Sequence, residues 1–252
     1  MNRRLYLKTI AATAVASAVA VGGYYFYSLL GSRVQSITDH IISNTSLTTG
    51  IPNMNPQDVA TPEGMPAIGK WMLKADLSPA NWLGLKYKGK NLKEPINILI
   101  VDDAAVSSDD ARLRLEENAE RAGYEKRSGH TGGYVGYIGG LFFTQLPAEK
   151  DHAFSNAPMI TDNNHGRVFG PLSWDSRYYF TGAFSRETID PLGAIKHHYA
   201  SFNQARDHFA ETLDRKTNYK IMSHVDLGNA VDDDKETTGD HDGKAVLIWV
   251  RR

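Results

Sequence analysis

The sequence predicts an α+β domain, with a single mixed or antiparallel sheet covered by two main helices and preceded by an N-terminal transmembrane or signal helix. Three observations carry this expectation. The isoleucine-rich run at residues 96–101 has the length and β-branched content of a buried strand. Residues 108–122 and 202–213 repeat apolar side chains at helical spacing. The intervening and following segments are strand-length, rich in aromatics and separated by Gly-marked turns.

Taken in order, the chain begins with the basic head Asn2-Arg3-Arg4-Leu5-Tyr6-Leu7-Lys8, followed by residues 9–30 without a charged side chain. A basic head before an apolar segment is an export or anchoring signal, and the paired arginines followed by an aromatic resemble the twin-arginine type. A bilayer core needs about 20 apolar residues in a helix, which this segment supplies. Tyr24-Tyr25-Phe26-Tyr27 suits an interfacial belt. Arg3, Arg4 and Lys8 are expected to stay cytoplasmic, giving a single-pass inner-membrane protein whose remaining residues face the periplasm. Residues 1–31 are assigned to this anchor. Residues 32–68 read as a short helix, with Val34, Ile37, Ile41 and Ile42 on one face, and then a linker with four prolines. Residues 69–252 are the expected periplasmic domain. Its first arm, 69–95, carries Trp71, Met72, Leu73, Trp82, Leu83, Leu85 and Tyr87, too much apolar surface to leave in water.

After the strand at 96–101, Ser108 is the expected helix cap, with Asp109 and Asp110 at the positive end of the dipole. Ala111, Leu115, Ala119 and Ala122 form its apolar face and Gly123 stops it. Strands are expected at 134–145, 166–169 and 178–184. Phe202, Ala205, Phe209 and Leu213 define the second helix, and strands at 219–225 and 245–250 flank an acidic turn, 232–243.

Composition narrows the function. The 252 residues contain no cysteine, which excludes disulfides, thiolate metal sites, iron–sulfur clusters and a cysteine nucleophile. With 28 basic and 29 acidic residues, the chain lacks the basic excess of a nucleic-acid binder, and no nucleic-acid partner is expected. No motif calls for a cofactor.

The glycine-rich run from Gly132 to Gly140 does not open a helix, so it is no phosphate loop. It reads as a core hairpin, or alternatively as an apolar surface on which Tyr134, Tyr137, Phe142 and Phe143 bind a partner or dip into a membrane. The nine histidines show no His-Glu-x-x-His spacing. A metal site could still assemble in space from Asp151, His152, His165 and His198, against the plainer expectation of histidines in turns and caps. Arg206 falls at the edge of its helix's buried stripe, where an arginine usually finds a carboxylate.

Several short runs occur together in a particular order: Glu94-Pro95-Ile96-Asn97-Ile98-Leu99-Ile100, Ala122-Gly123-Tyr124, Asp151-His152-Ala153-Phe154, Asn164-His165-Gly166-Arg167-Val168, and His197-His198 followed by Ala205-Arg206-Asp207. In this order they resemble the C-terminal domain of LssY-like bacterial proteins, over about residues 93–252. The resemblance implies membrane association and marks Asp151, Phe154, His165, Arg167, His198, Arg206 and Asp207 as the matching positions. The biochemical role of that family is not established.

Two functional readings follow. The first is a membrane-anchored accessory protein that docks a protein partner or a lipid headgroup, including the case of a supernumerary subunit of a membrane complex. The second is a hydrolase or metal-dependent enzyme using His165, Arg167, His198, Arg206 and Asp207 with Asp151. In that reading the arginines clamp a phosphate or carboxylate and a histidine is the general base. It requires these groups to converge on one face of the sheet.

Overall fold

The computed structural model describes residues 54–190 and 196–251. The described residues belong to one compact unit, whose first elements, from Pro56 onward, lie within the proline-containing stretch. In chain order the strands are β1 (Val59–Ala60), β2 (Ile68–Gly69), β3 (Asn81–Tyr87), β4 (Lys90–Lys93) and β5 (Ile98–Asp102), followed by helix α1 (Ser108–Ala122). Then come β6 (Glu125–Arg127), β7 (Val135–Ile138), β8 (Leu141–Leu146), β9 (Ala153–Ser155), β10 (Asn163–Trp174), β11 (Arg177–Asp190) and β12 (Lys196–Ser201). Helix α2 (Phe202–Lys216), β13 (Lys220–Asp226), β14 (Glu236–Thr237) and β15 (Lys244–Val250) complete the order.

The predicted α+β layout, one sheet covered by two main helices, is not the one adopted. The domain is mostly β, with 46% strand and 17% helix, and its main sheet has 12 strands and curls. The path runs β1-β2-β7-β8-β10-β11-β5-β15-β13, with β12 added to β11 and the β6–β9 pair added to β10. A second sheet, β14-β4-β3, has three strands. The physical cause lies in β10 and β11, which run for 12 and 14 residues where the sequence suggests short strands. A bulge between Phe169 and Leu172 bends their pairing. On one edge β10 pairs first with β9, at His165 and Gly166, and then with β8, at Val168 and Phe169. A helix of 15 residues is only about 22 Å long, so two of them cover part of such a sheet. On the other face, Met72 and Ala80 of the arm pack with Ile138 of β7 against Leu99, Val101 and Leu247.

Both helices form where the spacing places them. Ser107, one residue before the expected cap, accepts from the Asp110 amide, and Gly123 ends α1 at φ 93°. Ser201 caps α2 by accepting from the Gln204 amide. Asp102, wholly buried at the end of β5, anchors α1 by accepting from the Ala104 and Ala105 amides and from Arg114 Nε at 2.9 Å.

The sheet divides the interior in two. On the helix side, Ile98, Ile100, Val168, Phe180, Phe184, Val246 and Ile248 pack under Leu115, Phe209 and Leu213. On the other side, Leu99, Val101, Phe169, Tyr179, Ala183 and Leu247 pack with Ile68, Met72 and Ile138. Alternation along β10 therefore sends Gly166 and Val168 to the helices and Asn163, His165 and Arg167 to the opposite face.

Gly166 is fixed by that packing. A Cβ there would lie 2.4 Å from the Phe184 ring, which is itself stacked on Phe209 at 4.0 Å. Gly166→Ala is expected to destabilise the domain by about 1–3 kcal/mol through overpacking, measured as a lowered urea midpoint with an unchanged slope.

Buried His241 donates from Nε2 to Asn229 Oδ1 at 2.9 Å, and Asn229 in turn donates to the Lys70 and Ile96 carbonyls. Burial pushes His241 down to about 4. The unfolded chain then binds a proton between pH 6.5 and 4 that the folded chain does not, so stability is lost as pH falls through that window. His241→Gln should reduce the acid-side loss of stability by up to roughly 3 kcal/mol, measured by urea unfolding at several pH values.

Among the described residues no helix is long and apolar enough to cross a membrane. The predicted anchor at 1–31 and the short helix after it lie outside the described residues.

Candidate metal centre

The β10–β11 register builds the site. Asn163 stands opposite Glu187, and His165 opposite Ser185. Across these rungs Asn163 Nδ2 donates to Glu187 Oε1 at 2.6 Å, and His165 Nδ1 donates to Asn163 Oδ1 at 2.8 Å. Ser185 Oγ lies 3.4 Å from His165 Nε2 and accepts from Trp82 Nε1 at 3.3 Å. His197 on β12 donates from Nδ1 to Glu187 Oε2 at 2.8 Å. Asn163 thus joins the imidazole of His165 to the carboxylate of Glu187, and His197 braces that carboxylate from the next strand.

The loop after β6 closes over this row. The His130 amide donates to the Asp151 carbonyl, and the His130 ring lies 4.6 Å from that of His165. A side chain at Gly132 would collide with the Lys150 carbonyl oxygen at 1.4 Å, so glycine is required where the loop passes residue 150. Gln145 ties the two segments by accepting from the Gly133 and Tyr134 amides and donating toward the Glu149 and His152 carbonyls. Arg167 donates from Nη2 to the Thr131 carbonyl and lies 5.1 Å from the Tyr134 ring centroid.

The groups at the centre of the cluster are held out of water. Relative exposure is 9% for His130, 6% for His165, 3% for Arg167, 2% for Glu187 and 6% for Glu94. Burial, followed by Arg167, lowers His130 to about 3, and burial likewise holds His165 well below its ordinary value. Both rings are neutral at physiological pH and have lone pairs to offer. Burial raises Glu94 to about 7, opposed by Arg167. His130 Nε2 and Arg167 Nε are buried without a hydrogen-bond partner.

His130, His165 and Glu187 each bring one ligand atom to within 4.8 Å of the others. Bonds of about 2.0–2.1 Å in a tetrahedral shell place ligand atoms roughly 3.4 Å apart, so closure needs side-chain shifts of about 1 Å. The donor set fits a divalent transition ion: two neutral imidazoles and a carboxylate, the set found in catalytic zinc sites and in non-haem iron sites. The surrounding bonds fit as well. His165 is held by Asn163 through Nδ1, which lies 3.9 Å from Glu187 Oε1, and Glu187 is held by Asn163 and His197, the kind of supporting bonds that orient metal-bound imidazoles and carboxylates.

The residues singled out from sequence fall in several places. His165 and Arg167 are in the cluster. Asp151 and His152 lie at its rim, hydrogen-bonded to each other at 2.9 Å, and both act electrostatically on His130. His198 is exposed on β12, and alternation brings its neighbour His197 to Glu187 instead. Arg206 sits in the helix layer, on the other face of the sheet from His165 and Arg167. It donates to Asp207 at 2.7 Å, to Asp242 at 2.6 Å and to the Lys244 carbonyl at 2.9 Å. Arg206 and Asp207 therefore do not join the cluster.

Of the apolar positions, Tyr134 and Phe143 pack on the interior formed with Phe169 and Leu172, and Tyr137 and Phe142 meet edge-to-face at 5.3 Å. In the arm, Trp71, Met72, Leu73 and Trp82 are covered by the domain itself, while Leu83 and Leu85 are exposed. Nothing in the sequence marks Glu94, Glu187 or the pairing of His130 with His165 as parts of one site. Only Asn163-x-His165-x-Arg167, three polar residues sharing one strand face, signals the site locally.

Comparison of the chain with protein-family models, with curated proteins and with solved structures finds no match in any of the three.

Zinc content after dialysis tests the ligand set. Wild type is expected to retain about one ion per chain, and His130→Ala or His165→Ala to retain none. Asn163→Ala should weaken binding by about 10–100-fold, and His198→Ala should leave it unchanged.

Proposed function

We propose that this chain is a metal-dependent enzyme of the hydrolase class, anchored in the inner membrane by residues 1–31, with its β-rich domain in the periplasm. The observation that carries the reading is the buried convergence of His130, His165 and Glu187, with His130 Nε2 lacking any protein partner. His241 also buries an unpartnered ring nitrogen, but among the described residues no set of three potential ligands gathers around it, whereas His130 belongs to such a set. A divalent ion held there would supply Lewis acidity and a water activated near neutral pH. Arg167 stands beside the cluster as a cation for charge developing on a substrate oxygen. The anchor and the LssY-like resemblance support membrane association.

The test is hydrolysis of p-nitrophenyl phosphate, bis-p-nitrophenyl phosphate and p-nitrophenyl acetate by the full-length protein in detergent. The expected result is turnover of at least one ester that is abolished by 1,10-phenanthroline, restored by zinc and absent in His130→Ala. Turnover indifferent to the chelator, or a metal-loaded protein that cleaves none of the three, contradicts the reading.

A further inference from the structure

Two arginines of the described domain are almost equally buried, at 3% exposure, and only one is satisfied. Arg206 has two carboxylates and a carbonyl as acceptors. Arg167 has one carbonyl, from Thr131, and the face of Tyr134. Its Nε has no acceptor. The carboxylate that acts on it most strongly, Glu94, does so through space and not through a hydrogen bond. A buried guanidinium without a counter-charge is expensive, and here the protein supplies a carbonyl and a ring face but no carboxylate at contact distance.

We propose that Arg167 binds the oxyanion of a phosphate monoester, held between the Tyr134 ring, Glu94 and the metal centre. The inference rests on the reading of His130, His165 and Glu187 as that centre. A divalent ion, the Arg167 guanidinium and one carboxylate ligand leave two positive charges in the cluster, which a phosphate monoester dianion neutralises and a monoanionic carboxylate does not. The Arg167 fork suits phosphate oxygens. Burial holds the Glu94 carboxyl above the ordinary carboxylate range, and in its protonated form it can donate to the same oxyanion. His152 and His197, with side chains 26% and 20% exposed, are the histidines around the cluster that reach solvent. The same headgroup chemistry occurs in a lipid phosphate and in a soluble phosphate monoester.

The full-length protein in detergent, zinc-loaded and metal-stripped, is titrated with inorganic phosphate by calorimetry, with Arg167→Lys in parallel and circular dichroism to check folding. The expected result is one phosphate per zinc-loaded chain, weakened at least about tenfold in Arg167→Lys with zinc content unchanged. If Arg167→Lys does not fold, wild type labelled with 15N-arginine decides. The Arg167 Nε–H resonance, assigned by its lost ring-current shift in Tyr134→Leu, should move on phosphate addition.

Undiminished binding in a folded Arg167→Lys, an unmoved resonance, or no phosphate uptake by a zinc-loaded protein overturns the inference and leaves the metal reading standing. Phosphate bound through Arg167 by a protein that never retains zinc overturns the metal reading and leaves the oxyanion site. Competition by dihexanoyl phosphatidic acid or by glycerol 3-phosphate supports the monoester and identifies the lipid or the soluble source. Competition by neither overturns the monoester assignment.

Discussion

The alternation of Asn163, His165 and Arg167 along β10 puts three polar side chains on a face that the curl of the sheet removes from water. The organisation of the site follows from that placement. Buried polar groups must be paired, and in the low-dielectric interior an unpaired one costs far more than on the surface. The opposite rungs of β11 meet part of the demand through Glu187 and Ser185. β12 contributes His197, and the Thr131 carbonyl reaches Arg167 because Gly132 lets the loop lie against residue 150. At this face His130 Nε2 and Arg167 Nε keep no protein partner, and they lie where the proposed ion and oxyanion would sit.

Arg206 provides the contrast within the same molecule. It is just as buried, and its acceptors come from its own helix and from the turn into β15. Its role is to fasten α2 to the start of that strand. The two arginines show that this fold can complete a buried guanidinium, which makes the incomplete one at Arg167 informative. The division also explains why a single His/Arg/Asp set spanning both could not form: the sheet stands between them.

Much of the local structure was legible in the sequence. The apolar run ending at Asp102, the helix closed by Gly123 and the stripe of Phe202, Ala205, Phe209 and Leu213 are decided by residues within one element, and each forms where its pattern places it. The fold class was not legible, because it depends on how far β10 and β11 extend. Those strands continue through polar residues such as Asn163, Arg186 and Glu187 whose partners are distant in sequence. β12 reads Lys-His-His-Tyr-Ala-Ser, with no apolar alternation to announce a strand. The site was half legible for the same reason. His165 and Arg167 share a strand face, but His130 arrives from a loop, Glu94 from the arm and Glu187 through strand register. The His197–His198 pair is resolved only by the register shift between Arg186 and Glu187.

The central claim is that this cluster is a metal centre rather than an idle polar network. Anomalous diffraction at the zinc edge from crystals of the residue 54–252 unit, grown from full-length protein cleaved at that boundary, tests it most directly. A single peak bounded by His130, His165 and Glu187, about 2 Å from each ligand atom, is the predicted result. A density-free cluster, or a peak held by other residues such as Asp151 and His152 alone, would contradict it.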